Sequence, residues 1–174
     1  MKKKYLRLDE LIELIDDPNR QYCTDLYNDY APQFITAPGS LAKHQAWEGG
    51  YLHHVEETMN IAVDLYTLYK KNRGYKFSLS DALVVLFLHD IEKLFKYTGL
   101  RNDLDSEEQK WLFLEEITKK YHFKLMPNHW NGLCYIHGEG DDYHRTERIQ
   151  SELAGFCHIC DVFSARVFHD QPKH

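Results

Sequence analysis

Seven uninterrupted apolar residues, Ala82 to Leu88, run straight into His89 and Asp90. A segment apolar on every side belongs inside a protein, and Ser78 or Ser80 can cap a helix that carries it on to about Tyr97. Elsewhere the apolar positions recur every three or four residues, which predicts helices. Leu8, Leu11, Ile12 and Ile15 mark a helix over 5–17, with Pro18 beyond its end. Tyr22, Leu26 and Tyr30 mark a second over 20–30, and the Pro and Gly of 31–40 predict a loop. Val55, Met59, Ala62, Val63 and Tyr66 give a long helix over 51–71 its inner face, just after Gly49-Gly50. A further helix starts at Ser106 and ends near Tyr121, with Trp111, Leu112, Leu114 and Ile117 buried. A short one covers 128–136. A final helix covers 146–168, with Ile149, Leu153, Phe156, Cys157, Cys160 and Phe163 inward. There is no repeat and no alternation of strands with helices. The expected fold is all-α, a single-domain multi-helix bundle.

The unusual feature is where the polar residues fall. An imidazole and a carboxylate at the end of a buried segment are costly unless a cation or a hydrogen-bond network compensates them. Adjacent helical residues point about 100° apart, so of His53 and His54 only His54 shares the apolar side, and His53 belongs at the rim. Packing the long helices together would bring His54, His89, Asp90 and Asp161 into one cavity. That donor set has nitrogen and carboxylate but no thiolate, and suits Mn²⁺, Fe²⁺, Ni²⁺, Mg²⁺ or Zn²⁺.

The chain has 174 residues, enough for one domain with a real core, and a formal net charge of −6. That balance argues against a broad surface for long nucleic acid but not against a small phosphate site, since a bound metal reverses the local sign. The longest apolar run is too short for a membrane span, and Met1-Lys-Lys-Lys4 lacks the apolar segment of a secretory signal. Cys157 and Cys160 have CxxC spacing but no second pair, and read as small core residues of a helix. The expectation is an intracellular, cytoplasmic protein with reduced thiols.

Gly49-Gly-Tyr-Leu-His-His54, Leu86-Phe-Leu-His-Asp-Ile-Glu-Lys93 and His158-Ile-Cys-Asp161 occur in the order H…HD…D. In that order and helical setting they resemble the HD-domain superfamily of metal-dependent phosphohydrolases. His44-Gln-Ala-Trp-Glu-Gly-Gly50 and His137-Gly-Glu139 are similar to segments of its 3′-to-5′ exoribonuclease branch, and the resemblance spans roughly 42–166. It implies an HD-type bundle, with His54, His89, Asp90 and Asp161 as ligands of a first divalent metal. It implies Lys93 beside the substrate phosphate, and His137 at a position that binds a second metal or a phosphate oxygen. Asp90, Lys93 and His137 are then the catalytic candidates, Asp90 as acceptor of a proton from water, with Glu92 or Glu139 assisting. His44, Lys93 and His137 are the substrate-binding candidates, and His158 reads as a structural or surface residue or, from its helix face, a support for the ligands. His129 and His144 read as structural or surface residues. The substrate expected is a small nucleotide or a short oligonucleotide end, with Trp47, Tyr51, Trp130 or Tyr143 as candidates for contacting a base.

The chain departs from the family pattern in four places. Ile136 stands where the exoribonuclease branch has the first His of its HHG segment, Gln45 where it has the second His of its opening pair, and Glu92 where Gly precedes the lysine. No counterpart of that branch's oligonucleotide-binding domain is present, which speaks against processive RNA degradation. The alternative expectation is a non-catalytic module that binds a nucleotide, or a helical interaction domain.

Overall fold

A computed structural model describes residues 5–168. They form helices and loops in one body, with no strand among the described residues. In chain order the helices are α1 (Leu8–Ile12), α2 (Asn19–Asp29), α3 (Ala31–Thr36), α4 (Gly50–Lys70), α5 (Leu79–Leu88), α6 (Ile91–Tyr97), α7 (Glu107–Lys120), α8 (Pro127–Tyr135) and α9 (Glu152–Val167).

The all-apolar segment is the axis of the molecule. Every residue of Ala82–Leu88 is buried, because α4, α8 and α9 all pack on α5, while α4 also packs on α9. The start of α5 is fixed reciprocally: the Asp81 N–H donates to Ser78 Oγ, and the Ser78 N–H donates to Asp81 Oδ2. The other Asp81 oxygen takes His129 Nε2 at 2.9 Å, and His129 Nδ1 accepts from the Met126 N–H. His129 is structural, as expected: it ties the start of α8 to the start of α5.

Several sequence expectations are corrected. The helix expected over 5–17 is regular only from Leu8 to Ile12. Residues 31–40 are not all loop, because α3 begins there; Pro32 sits at the start of that helix, where its missing N–H is not needed. The central helix does not run unbroken to Tyr97 but stops at Leu88 and restarts at Ile91. The final helix starts at Glu152, capped by Ser151, and leaves Ile149 in the preceding loop. Leu112 and Phe163 face solvent, and Phe113 takes the inward place beside Leu114.

The loop before α4 is wound tightly. The Gly39 and Trp47 N–H groups both donate to the Gln45 carbonyl, and the Tyr51 N–H donates to Ala37. Gln45 adopts a left-handed backbone (φ 45°) and is fully buried. A Cβ on Gly50 would fall 1.8 Å from the Gln45 carbonyl oxygen. Only glycine allows this approach, which sets Gln45 against α4. Gly50→Ala is therefore expected to cost roughly 2–4 kcal/mol, as overpacking against rigid backbone does. Denaturant unfolding checks this, and wild-type stability in the variant would show that the loop does not need the contact.

Candidate metal centre

Four separated stretches of chain converge at the ends of α5 and α8. His54 comes from the second turn of α4, His89 and Asp90 from the break between α5 and α6, His137 from the turn after α8, and Asp161 from α9. The side chains of His54, His89 and Asp90 are almost wholly buried, and that of Asp161 is 12% exposed.

The break in the helix makes the site. On a continuous helix His89 and Asp90 would diverge by about 100°. Instead Asp90 leaves the helical region (φ −119°, ψ 20°) and becomes the first flanking residue of α6. The Leu86 carbonyl, which the backbone N–H of Asp90 would take in an unbroken helix, accepts from His89 Nδ1 at 2.7 Å. A carbonyl only accepts, so Nδ1 carries the proton and Nε2 points its lone pair inward.

His54 is oriented in the same sense. Its Nδ1 lies 3.1 Å from Ser164 Oγ, and that hydroxyl donates to Glu57 Oε2 at 2.7 Å. The serine proton is thus engaged, and His54 Nδ1–H is the donor. Two Nε2 atoms then face each other at 3.3 Å. With both Nδ1 atoms protonated, the contact sets lone pair against lone pair unless a cation lies between. His54 Nε2 is 3.2 Å from Asp161 Oδ1, and His89 Nε2 is 3.3 Å from Asp90 Oδ2.

His54, His89 and Asp161 thus form a buried group that can hold a metal ion, their donor atoms lying within 4.8 Å of one another. Donors about 2.1 Å from a shared cation stand roughly 3.0–3.5 Å apart; the 3.2 and 3.3 Å separations fit, and the third, His89 Nε2 to Asp161 Oδ1, is wider at 3.8 Å. Asp90 is close to this group but engaged elsewhere, since its Oδ2 takes Lys93 Nζ at 2.5 Å. Its Oδ1 is buried with no hydrogen-bond partner among the described residues. Such an atom is costly unless a cation stands near it, and among the described residues the His137 imidazole stands 3.6 Å away.

The electrostatics agree. Burial would raise the Asp90 carboxyl, but the charges of His89 and Lys93 outweigh it and hold the group well below the usual range. Burial would raise Asp161 too, and the bond from His137 together with the nearby imidazoles of His54 and His89 overrides it. Burial lowers His54, whereas the charge of Asp90 overcomes burial and raises His89. Without a metal, then, a proton on His89 relieves the contact between the imidazoles. His137 is bonded to Asp161 and lies 3.6 Å from Asp90 Oδ1, which lifts it to about 10. Its side chain is 58% exposed, so water screens part of that rise.

A cavity of about 380 Å³ opens beside the group, lined by His89, Asp90, Glu92, Lys93 and His137 with Lys110, Trp111 and Leu133 among the outer walls. Lys93 therefore faces both the carboxylates and the cavity. His44 is half-buried at the cluster's edge, its ring 5.4 Å from that of His54, and burial together with the nearby charge of His54 lowers it to about 4. It does not line this cavity, and neither do Trp47, Tyr51, Trp130 or Tyr143; Trp111 is the aromatic that does. Glu139 stands apart, accepting from the Gln150 N–H. His158 donates to the Ile136 carbonyl and so pins the turn that carries His137. His53 is half-buried beside Trp47, as the helix geometry predicts. His169 and His174, without an assigned role, lie outside the described residues.

Glu57, Ser164 and Trp111 were not singled out by the sequence as site residues. The first two had a signal: each lies three residues past a candidate ligand on the same helix, on the same face. Comparison with protein-family models, with curated proteins and with solved structures finds no match in any of the three.

Glu92 supplies a test of the electrostatics. Burial, with the charge of Asp90 added, raises it from 4.5 to about 7. The folded state binds this proton more tightly than the unfolded chain. Its contribution is fully present below about pH 4.5 and is lost as pH rises through 7. Glu92→Gln should therefore gain stability over wild type as pH goes from 4.5 to 8 in chelator, read as a growing difference in Tm. A difference independent of pH would refute the assignment.

Proposed function

We propose that this chain is a metal-dependent phosphohydrolase of the HD type, acting on a phosphate ester of a nucleotide or a short oligonucleotide end. The observation that carries the reading is the inward-facing set of His54, His89, Asp161 and Asp90 beside a cavity that Lys93 lines. His54, His89, Asp90 and Asp161 would hold one divalent ion, of Mn, Fe, Ni, Mg or Zn. Asp90 Oδ1 and His137 offer donors for a second. The bound ion would lower the pKa of a water and neutralise phosphoryl oxygens.

The chain's own groups account for the rest. Lys93 Nζ reaches the cavity wall and stabilises negative charge that develops on the phosphoryl group. Its pairing with Asp90 keeps it charged despite burial. His137, half in solvent and held by Asp161, is placed to contact a phosphate oxygen or to donate to a leaving group. Glu92, raised to about 7, is the carboxylate on this cavity best matched to accept a proton near neutrality. The cavity is of small-ligand size, in keeping with a small substrate. Its four free cysteines, three of them buried, fit the reducing cytoplasmic setting that the sequence suggests. No helix among the described residues is long and apolar enough to cross a membrane.

The test is phosphate release from a nucleotide panel with each of the five metals, alongside metal content. Wild type should turn over with at least one metal. Asp90→Ala and Asp161→Ala should lose both metal and activity. Lys93→Ala should keep the metal and lose about 10²-fold in kcat, the usual cost of removing one preorganised charge-stabilising group. Folded, metal-loaded protein without turnover would overturn the hydrolase. Tight nucleotide binding without product would identify a non-catalytic binding module instead.

A further inference from the structure

The polar groups behind His54 form a second, deeper layer. Glu57, one turn along α4 from His54, is buried although it is a carboxylate. Among the described residues it meets no cation at hydrogen-bond distance; its Oε2 takes Ser164 Oγ–H at 2.7 Å and Gln45 Nε2 at 3.2 Å. Ser164 is fully buried on α9, one turn after Asp161. Gln45 is fully buried in the loop before α4, and its Nε2 also lies 3.2 Å from Ser164 Oγ and from the Phe168 carbonyl. Three acceptors around one terminus of Gln45 fix which end is nitrogen. The result is a directed chain in which Gln45 and Ser164 donate to Glu57, and His54 donates to Ser164.

We infer that Glu57, acting through Ser164, is a positioning residue that sets the metal affinity of His54. The inference rests on the reading that His54, His89 and Asp161 hold a metal, and does not depend on the reaction catalysed. The physical argument has two parts. First, the carboxylate occupies the serine proton, so the serine oxygen can only accept from His54. That fixes the Nδ1–H tautomer and leaves Nε2 as the donor to the metal. Second, the Glu57 carboxylate, which burial raises but the bonds from Ser164 and Gln45 draw back toward its charged form, stands one hydroxyl away; its charge polarises the relay and raises electron density on Nε2, as carboxylates behind metal-bound histidines do. His89, whose Nδ1 bonds only a neutral carbonyl, lacks this support. The two imidazoles are therefore unequal donors, with His54 the stronger. A carboxylate kept for stability alone would be a poor choice here, because burying it is costly and an apolar side chain would pack without that cost.

The experiment uses the whole chain, stripped with chelator and titrated with Zn²⁺ and with Mn²⁺ in competition with a chromogenic chelator. Glu57→Gln keeps the shape and removes the charge; Ser164→Ala removes the link. Each should weaken metal binding by about 10–100-fold. The double variant should lose no more than the worse single one, since the two act as one relay. The metal-free Tm of Glu57→Gln should hold or rise. Long-range proton–nitrogen spectra of His54 should show the Nδ1–H tautomer in wild type and a mixture in Ser164→Ala. Unchanged affinity in Glu57→Gln would overturn the relay. So would a loss of affinity that merely follows a fall in metal-free Tm. A wild type that binds neither ion would overturn the metal centre itself and the relay with it.

Discussion

Two imidazole nitrogens that both turn lone pairs toward each other cannot remain 3.3 Å apart in a dry interior without positive charge between them. The remaining features of the site follow from this contact. Its two histidines are locked from behind, one by a backbone carbonyl and one by a serine, so neither escapes by changing tautomer. Two carboxylates flank the pair, and each lies nearer a different histidine. A proton on His89 answers the contact between the imidazoles. A divalent cation answers that contact and the charge of the aspartates together.

The fold makes this contact by interrupting its most hydrophobic element. From Ala82 to Leu88 α5 is apolar on all sides, and α2, α4, α8 and α9 pack on the helix, which is an environment for rigid placement. The interruption after Leu88 turns Asp90 toward the site that His89 already faces. The cost of the lost helical bond is reduced because the His89 ring takes the Leu86 carbonyl. The same interruption starts α6, which carries Glu92 and Lys93 to the cavity wall. One backbone break thus supplies the His89–Asp90 pair, the Lys93 ammonium on the cavity wall and a carboxylate raised to near neutrality.

Much of this was legible along the chain. Helical periodicity located most of the helices, and the rule that neighbours diverge on a helix separated His54 from His53 correctly. The same rule, applied to His89 and Asp90 on an unbroken helix, would have kept them apart, and nothing in the apolar run from Ala82 to Leu88 announces the break. Helix ends were less readable where loops hold their shape through distant partners. The segment before α9 ends one helix turn or more later than the apolar spacing suggests, because Ser151 caps the helix and Asn131 of α8 holds the Ser151 N–H and the Ile149 carbonyl. The inward set of α7 was misjudged at Leu112 because only the packing of Phe113 against Phe95 of α6 decides which face turns in.

By itself the sequence determined that the chain is helical, which segment lies at its centre, and which imidazoles and carboxylates stand on apolar faces, because these follow from local periodicity and the cost of burying charge. Tertiary structure alone decided that they meet at one point, that Trp111 rather than another aromatic walls the cavity, and that Glu57, Ser164 and Gln45 stand behind His54. Those facts depend on contacts between residues as much as 123 positions apart, and no local pattern encodes a distance of that kind.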